Sequence, residues 1–387
     1  MIFGQAAAAW QWFNYAAAQA PTGSTILRIN LDETSVKLFQ GDGKGAVFFK
    51  KKRGRPGLGA AEEGEAVQAV SLKKKRACLT HIGLICDRAE VQPALPQVLI
   101  GNEATFLAGE FADLQAACPA NVFLVRQRSA WSNVETCMRV LRLLAAALRR
   151  HEAAAVHPPL KRLQPVLLMD ACRLHIHSSV ARSCAALGIW LVVVPARLTW
   201  LLQPLDTRAF QIYKEHFRAA YQRARLETAD GQLAVADFLA AFFDTIRRVL
   251  QGRRWASAFE GDGFGPRQAK VSAYILRELQ YDEPPAVPSE APTSEMLQLW
   301  FPRRSAVPEA ILMQPYRRQL ALQAPGIGAA PALGAAAPLI ARGSRLAPKR
   351  LALAPPPQAR PFTRLQAALR RGADAQPIAR PGKERRD

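Results

Sequence analysis

Three aspartates sit among apolar residues at places where a metal site would need them. Asp32 stands inside residues 26–39 (ILRINLDETSVKLF). Asp170 directly follows Val166-Leu167-Leu168-Met169, and Asp206 follows Gln203-Pro204-Leu205 at the start of a helical pattern. Singly, each has a plain structural use, since Asp ends strands and is favoured by the dipole in a first helical turn. Gathered, they would ask for more. Two carboxylates about 4 Å apart repel by roughly 4 kcal/mol at an effective dielectric of about 20. Three in one site would protonate or separate unless divalent cations offset the charge. Mg²⁺ (or Mn²⁺) suits that role through its preference for oxygen ligands. Two ions can activate a water or hydroxyl and stabilise the departing oxygen of a phosphodiester. The neighbour Glu33 is expected on the opposite face of its strand, away from such a site.

The elements that must position these residues read as follows. Residues 26–39 have strand-like density, and residues 77–87 (ACLTHIGLICD) and 97–101 (QVLIG) predict further strands of an antiparallel meander. A short returning strand is expected at residues 46–49. Residues 133–150 then switch to helical spacing behind Ser132-Asn133, a cap-like start. Val166–Met169 and Ile189–Val194 are continuous apolar runs of the kind buried parallel strands show. Helices are predicted at 175–187, about 205–226 and 233–250. Strands followed by alternating helices and strands predict an α/β fold, a ribonuclease-H-like mixed sheet flanked by helices. Asp170 then falls at the carboxyl end of a strand, where open α/β sheets gather their chemistry.

Composition bounds the rest. The chain has 387 residues, a formal charge of +21 and 49% hydrophobic residues, so wholesale disorder is excluded. Residues 301–387 carry 16 basic and 4 acidic residues, which is +12 of the +21 and leaves +9 for residues 1–300. Of 28 prolines, 17 lie at or after Pro284. The expected organisation is an Ala-rich lead-in helix in 1–25, one domain over 26–281, and a disordered Pro/Ala/Arg-rich basic tail over 282–387. No apolar run is long enough for a membrane span. The first basic residue is Arg28, so a signal peptide's positive start is missing. The six cysteines include no CxxC pair, and are expected as reduced core thiols.

At the aspartates the sequence resembles a family, the DDE superfamily endonucleases of pogo/Tigger type, which are transposase catalytic domains related to centromere-binding protein B. Asn30-Leu31-Asp32-Glu33-Thr34 looks like their first motif. Leu167-Leu168-Met169-Asp170-Ala171-Cys172-Arg173-Leu174-His175 resembles the second. The segment from Pro195 to Asp206, ending Leu202-Gln203-Pro204-Leu205-Asp206, resembles the third, with 35 residues between Asp170 and Asp206. Trp131 matches an aromatic ahead of the central helix. Ala171, Arg173 and Ala196-Arg197-Leu198 depart from the family pattern. The resemblance covers about residues 26–280. It implies Asp32, Asp170 and Asp206 as catalytic residues holding two Mg²⁺ or Mn²⁺ ions, with His175 and Gln203 auxiliary. The implied reaction is DNA strand cleavage by water followed by strand transfer from a 3′-hydroxyl, with a homo-oligomer on DNA as a further expectation. His177 has no such support.

Lys50–Pro56 (KKKRGRP) contains Arg-Gly-Arg-Pro, a pattern able to follow a narrow minor groove, so Lys51, Lys52, Arg53 and Arg55 are candidate DNA contacts. A solvated basic loop is the plainer use of the same run. Together with Lys73–Arg76 it also predicts nuclear localisation. About 25 residues precede the first strand, which leaves no room there for the helix-turn-helix modules such transposases carry. A second expectation therefore stands beside the enzyme: a catalytically inactive, transposase-derived DNA- or chromatin-binding protein.

Overall fold

The computed structural model describes residues 2–21, 23–37, 78–154, 162–228, 233–264, 277–280, 286–298 and 307–316. Six strands form one mixed sheet: β1 (Ser24–Lys37), β2 (Cys78–Cys86), β3 (Gln97–Asn102), β4 (Val122–Gln127), β5 (Arg162–Asp170) and β6 (Trp190–Val194). Their order is β4-β3-β2-β1-β5-β6. β1 runs antiparallel to β2 and parallel to β5, β2 is antiparallel to β3, and β5 is parallel to β6. That is the ribonuclease-H-like plan expected from the order of elements, extended at one edge by β4, which is parallel to β3. Neither β4 nor the short helix α2 (Phe111–Ala116) follows from sequence pattern. Val122-Phe123-Leu124-Val125 is too short an apolar run for periodicity to separate strand from helix.

Alternation along the strands divides the core in two. On β1, Val36 and Ile26 face one side with Leu168 of β5, while Leu27, Ile29 and Leu31 face the other with Leu167 and Met169. The first side is covered by α6 (Phe210–Leu226) and α7 (Val235–Thr245), through Phe210, Tyr213, Phe217, Phe238 and Phe242. The second is covered by α3 (Val134–Ala154) and α4 (Ser178–Ala186), through Val140, Leu141, Leu144, Val180 and Cys184. Asn133 caps α3 as its sequence suggests, accepting the Thr136 N–H at 2.9 Å. Cys86, Cys118, Cys137, Cys172 and Cys184 are free, and Cys86, Cys137 and Cys184 are buried thiols.

Two boundaries differ from expectation. The N-terminal helix α1 (Ile2–Ala18) does not merely lead into the domain but belongs to it: Ala6, Ala9 and Phe13 join the first core side, Trp12, Tyr15 and Ala16 the second. Nor does packing stop at residue 281. Helices α9 (Ser294–Gln298) and α10 (Glu309–Leu312) bury Leu297, Ile311, Leu312, Met313 and Tyr316. Gln314 donates to the Ile189 carbonyl at 2.7 Å and accepts the Leu191 N–H, which pairs the free backbone of the edge strand β6. The physical reason is that a sheet edge can be covered by one side chain and a few apolar contacts, too little to change composition. The rest of the expected tail, residues 317–387, lies outside the described residues, as does the returning strand at 46–49.

Candidate metal centre

β1 and β5 are parallel neighbours with Asn30 opposite Leu168, so Asp32 and Asp170 each lie two residues further along the same register. Both are even-numbered positions on strands whose even residues face α6. The third aspartate reaches that side through the connection after β6. This runs through α5 (Thr199–Leu202) into a π-helical turn, Leu205–Ala209. The Gln203 carbonyl accepts the N–H groups of Asp206 and Thr207, both at 2.9 Å, and so begins the turn.

One buried side chain ties the three elements together. Asn30 is fully buried; its amide donates to the Leu168 carbonyl on β5 at 3.2 Å and its oxygen accepts the Leu205 N–H at 2.8 Å. The residue next to Asp206 is thus held against the strands carrying Asp32 and Asp170. Sequence pattern gives Asn30 no role of its own, because an amide inside a strand looks like any polar interruption.

Asp32, Asp170 and Asp206 are near enough for their charges to act on Asp32, but among the described residues the group of three that brings its ligand atoms within 4.8 Å of one another is Asp170, Cys172 and His175. Burial, then the charges of Asp206, Glu33 and Asp170, hold the Asp32 carboxyl well above the usual range. Asp32 is buried, Asp170 half-buried and Asp206 exposed, so the cluster opens to solvent on the Asp206 side. Burial alone would raise Asp170 too, but the hydrogen bond and charge of His175 and the Cys172 N–H bring it below the ordinary value. His175 is itself fully buried. Its Nδ1 lies 2.5 Å from Asp170 Oδ1 and its Nε2 3.3 Å from Glu33 Oε1. Burial opposes its charge, yet Asp170, Cys172 and Glu33 raise its pKa well above the usual histidine value. Glu33 does project to the opposite face, as alternation requires. Its expected separation from the cluster does not hold, because His175 at the end of β5 links the two faces.

The donor set of Asp32, Asp170 and Asp206 is all oxygen, which fits a hard divalent cation, and the raised Asp32 is the response of a buried acid lacking a compensating charge. Gln203 is fully buried, and neither end of its side-chain amide has a hydrogen-bond partner among the described residues. Its backbone, rather than its side chain, positions Asp206. His177 caps α4, accepting the Ser179 N–H at 3.2 Å. Trp131 is exposed. Lys51, Lys52, Arg53, Arg55 and residues 73–76 lie outside the described residues.

Sequence reasoning passed over Asp262 entirely. It lies just after α8 (Ala256–Gly261), is 4% exposed, and accepts the Thr207 hydroxyl at 2.7 Å beside Arg208. Nothing marks it in sequence, since an acid between glycines reads as a turn. No family model, no curated protein and no solved structure matches this chain.

Proposed function

We propose that this chain is a DDE-type catalytic domain that cleaves and transfers DNA strands with the help of two Mg²⁺ or Mn²⁺ ions. The observation that carries the reading is the β1–β5 register, which sets Asp32 and Asp170 two residues beyond the Asn30–Leu168 pair, while Asn30 ties Leu205, the neighbour of Asp206, to both strands; the charges of Asp206 and Asp170 accordingly help burial to raise the Asp32 carboxyl. An acid cluster of this kind, with one member inside β1 and one at the end of β5, is stable as carboxylates only with added positive charge. Asp32, Asp170 and Asp206 are the ligands. Bound there, the ions would activate a water or 3′-hydroxyl and stabilise the departing phosphodiester oxygen. Asn30 holds the Asp206 turn in place, and His175 fixes the rotamer of Asp170. DNA as substrate and the nucleus as location follow from the +21 charge and the Lys/Arg runs, including Lys51, Lys52, Arg53 and Arg55. No helix among the described residues is long and apolar enough to cross a membrane.

A second reading, a non-catalytic DNA- or chromatin-binding derivative, draws support from one observation. His175 already supplies Asp170 with a positive partner, so part of the cluster is neutralised by protein alone. Cleavage of labelled duplex DNA in Mg²⁺, for wild type, Asp170→Asn and Asp206→Asn, separates the two. Cleavage lost at least 100-fold in both variants with DNA affinity retained supports the enzyme. Equal cleavage by all three refutes it, and tight DNA binding without any cleavage leaves the derivative.

A further inference from the structure

We propose that Asp170, Cys172 and His175 form a binding site for a thiophilic divalent cation of the Zn²⁺ class, distinct in chemistry from the all-oxygen site with which it shares Asp170. One ligand atom from each residue lies within 4.8 Å of the other two. The three are a carboxylate oxygen, a sulfur and an imidazole nitrogen, a set that selects zinc-like ions over Mg²⁺. All come from six consecutive residues whose backbone is already folded around them. The Cys172 N–H donates to Asp170 Oδ1 at 3.3 Å, and the Ile176 N–H to the Cys172 carbonyl at 3.1 Å.

Glu33 provides an independent argument. Histidines that bind metals through one ring nitrogen commonly donate the other N–H to a carboxylate, which fixes tautomer and ring orientation. His175 has this arrangement: Nε2 meets Glu33 Oε1 at 3.3 Å, while Nδ1 faces Asp170. The ion would take the place of the proton between Nδ1 and Oδ1. Tetrahedral coordination needs those atoms about 3.4 Å apart, so their present 2.5 Å must open by roughly 1 Å. Asp170 and Cys172 are half-buried, which leaves the opening a path and an entry for the ion. Coordination takes the Nδ1 lone pair and the thiolate, and the displaced protons leave to solvent. Three protein ligands leave a fourth position open.

The site stands without the nuclease reading. Only its consequence depends on that reading: an ion held here withdraws Asp170 from the carboxylate cluster and inhibits Mg²⁺-dependent cleavage. The test is optical and needs no cleavage. The full-length protein is titrated with Cd²⁺, following the thiolate-to-metal charge-transfer band in the ultraviolet, and Zn²⁺ affinity is read by competition with a chromophoric chelator. Wild type should bind one equivalent. Cys172→Ser should abolish the band and weaken Zn²⁺ at least tenfold, Asp170→Asn should weaken Zn²⁺, and Cys118→Ser should change neither. Circular dichroism confirms that each variant is folded. Unchanged binding in Cys172→Ser, loss in Cys118→Ser, or no stoichiometric binding by wild type overturns the proposal. Zn²⁺ binding by a protein that cleaves no DNA keeps the site and rejects the nuclease.

Discussion

Replacing Asp262 by Asn should change how stability depends on pH. Burial pushes the Asp262 carboxyl up to about 7, against the Thr207 hydroxyl and Arg208, which both act to lower it. The unfolded chain releases that proton near the ordinary aspartate value of 3.8. Below this pH both states hold the proton and the residue contributes nothing to the pH dependence. Between about 4 and 7 only the folded state keeps it, so stability falls as pH rises. Above about 7 both states are ionised and the penalty is constant. A shift of about three units at about 1.4 kcal/mol each gives roughly 4 kcal/mol lost across the window. Asn is close in shape and still accepts the Thr207 hydroxyl, but it does not titrate. Urea unfolding of wild type and Asp262→Asn at half-unit steps from pH 4 to 8 isolates the effect, because other titrating groups cancel in the difference. The variant should gain on wild type by several kcal/mol between pH 4 and 7 and then level off. Parallel curves would refute the assignment of a buried, proton-holding Asp262.

Asn30→Leu removes the side-chain acceptor of the Leu205 N–H and the donor to the Leu168 carbonyl. It should cost about 1–3 kcal/mol for each buried group left unpaired, measured by urea unfolding. It should also raise the Mg²⁺ concentration for half-maximal cleavage, since the Asp206 turn loses its tie to β1 and β5. Gln314→Ala leaves the Ile189 carbonyl and Leu191 N–H of edge strand β6 unpaired, with an expected loss of about 1–3 kcal/mol in thermal unfolding. An unchanged midpoint would mean that water replaces both bonds.

Strand-like apolar density was enough for β1, β2 and β3, continuous apolar runs for β5 and β6, and 3.6-residue spacing for α3 and the helices around the Asp206 turn, because each of these elements carries several apolar residues into the core. The three aspartates were legible for the related reason that an acid inside or beside an apolar run is costly without a purpose. What escaped notice depends on long-range pairing. Asn30 reaches Leu205 across 175 positions, Gln314 reaches Ile189 across 125, and Thr207 reaches Asp262 across 55. No local pattern encodes such partners. The C-terminal segment was misplaced for the same reason, since its prolines and alanines resemble a tail while Ile311, Met313 and Tyr316 are buried. Glu33 shows the limit of alternation: the rule put its side chain on the correct face, but His175 carries its influence to the other.

Asp32 and Glu33 are successive residues within β1 whose side chains leave opposite faces of the strand. β5 ends at Asp170 while β1 runs on beside β2 to Lys37, and the 170–175 turn is free to bring one imidazole against Asp170 on one side and Glu33 on the other. Asp170 therefore has two claims on it. On the proposed nuclease reading it would join Asp32 and Asp206 from the α6 side, in an oxygen-only set suited to hard cations. In the proposed zinc-type site it would join His175 and Cys172, whose ligand atoms lie within 4.8 Å of its own, in a mixed set suited to softer ions. The same residue cannot serve both fully, because the rotamer that meets Nδ1 at 2.5 Å commits one oxygen to the imidazole. A single aspartate at a strand terminus thus couples the electrostatics of two faces. Changing His175 or Cys172 should alter the metal preference of the carboxylate cluster without touching either of its other two members.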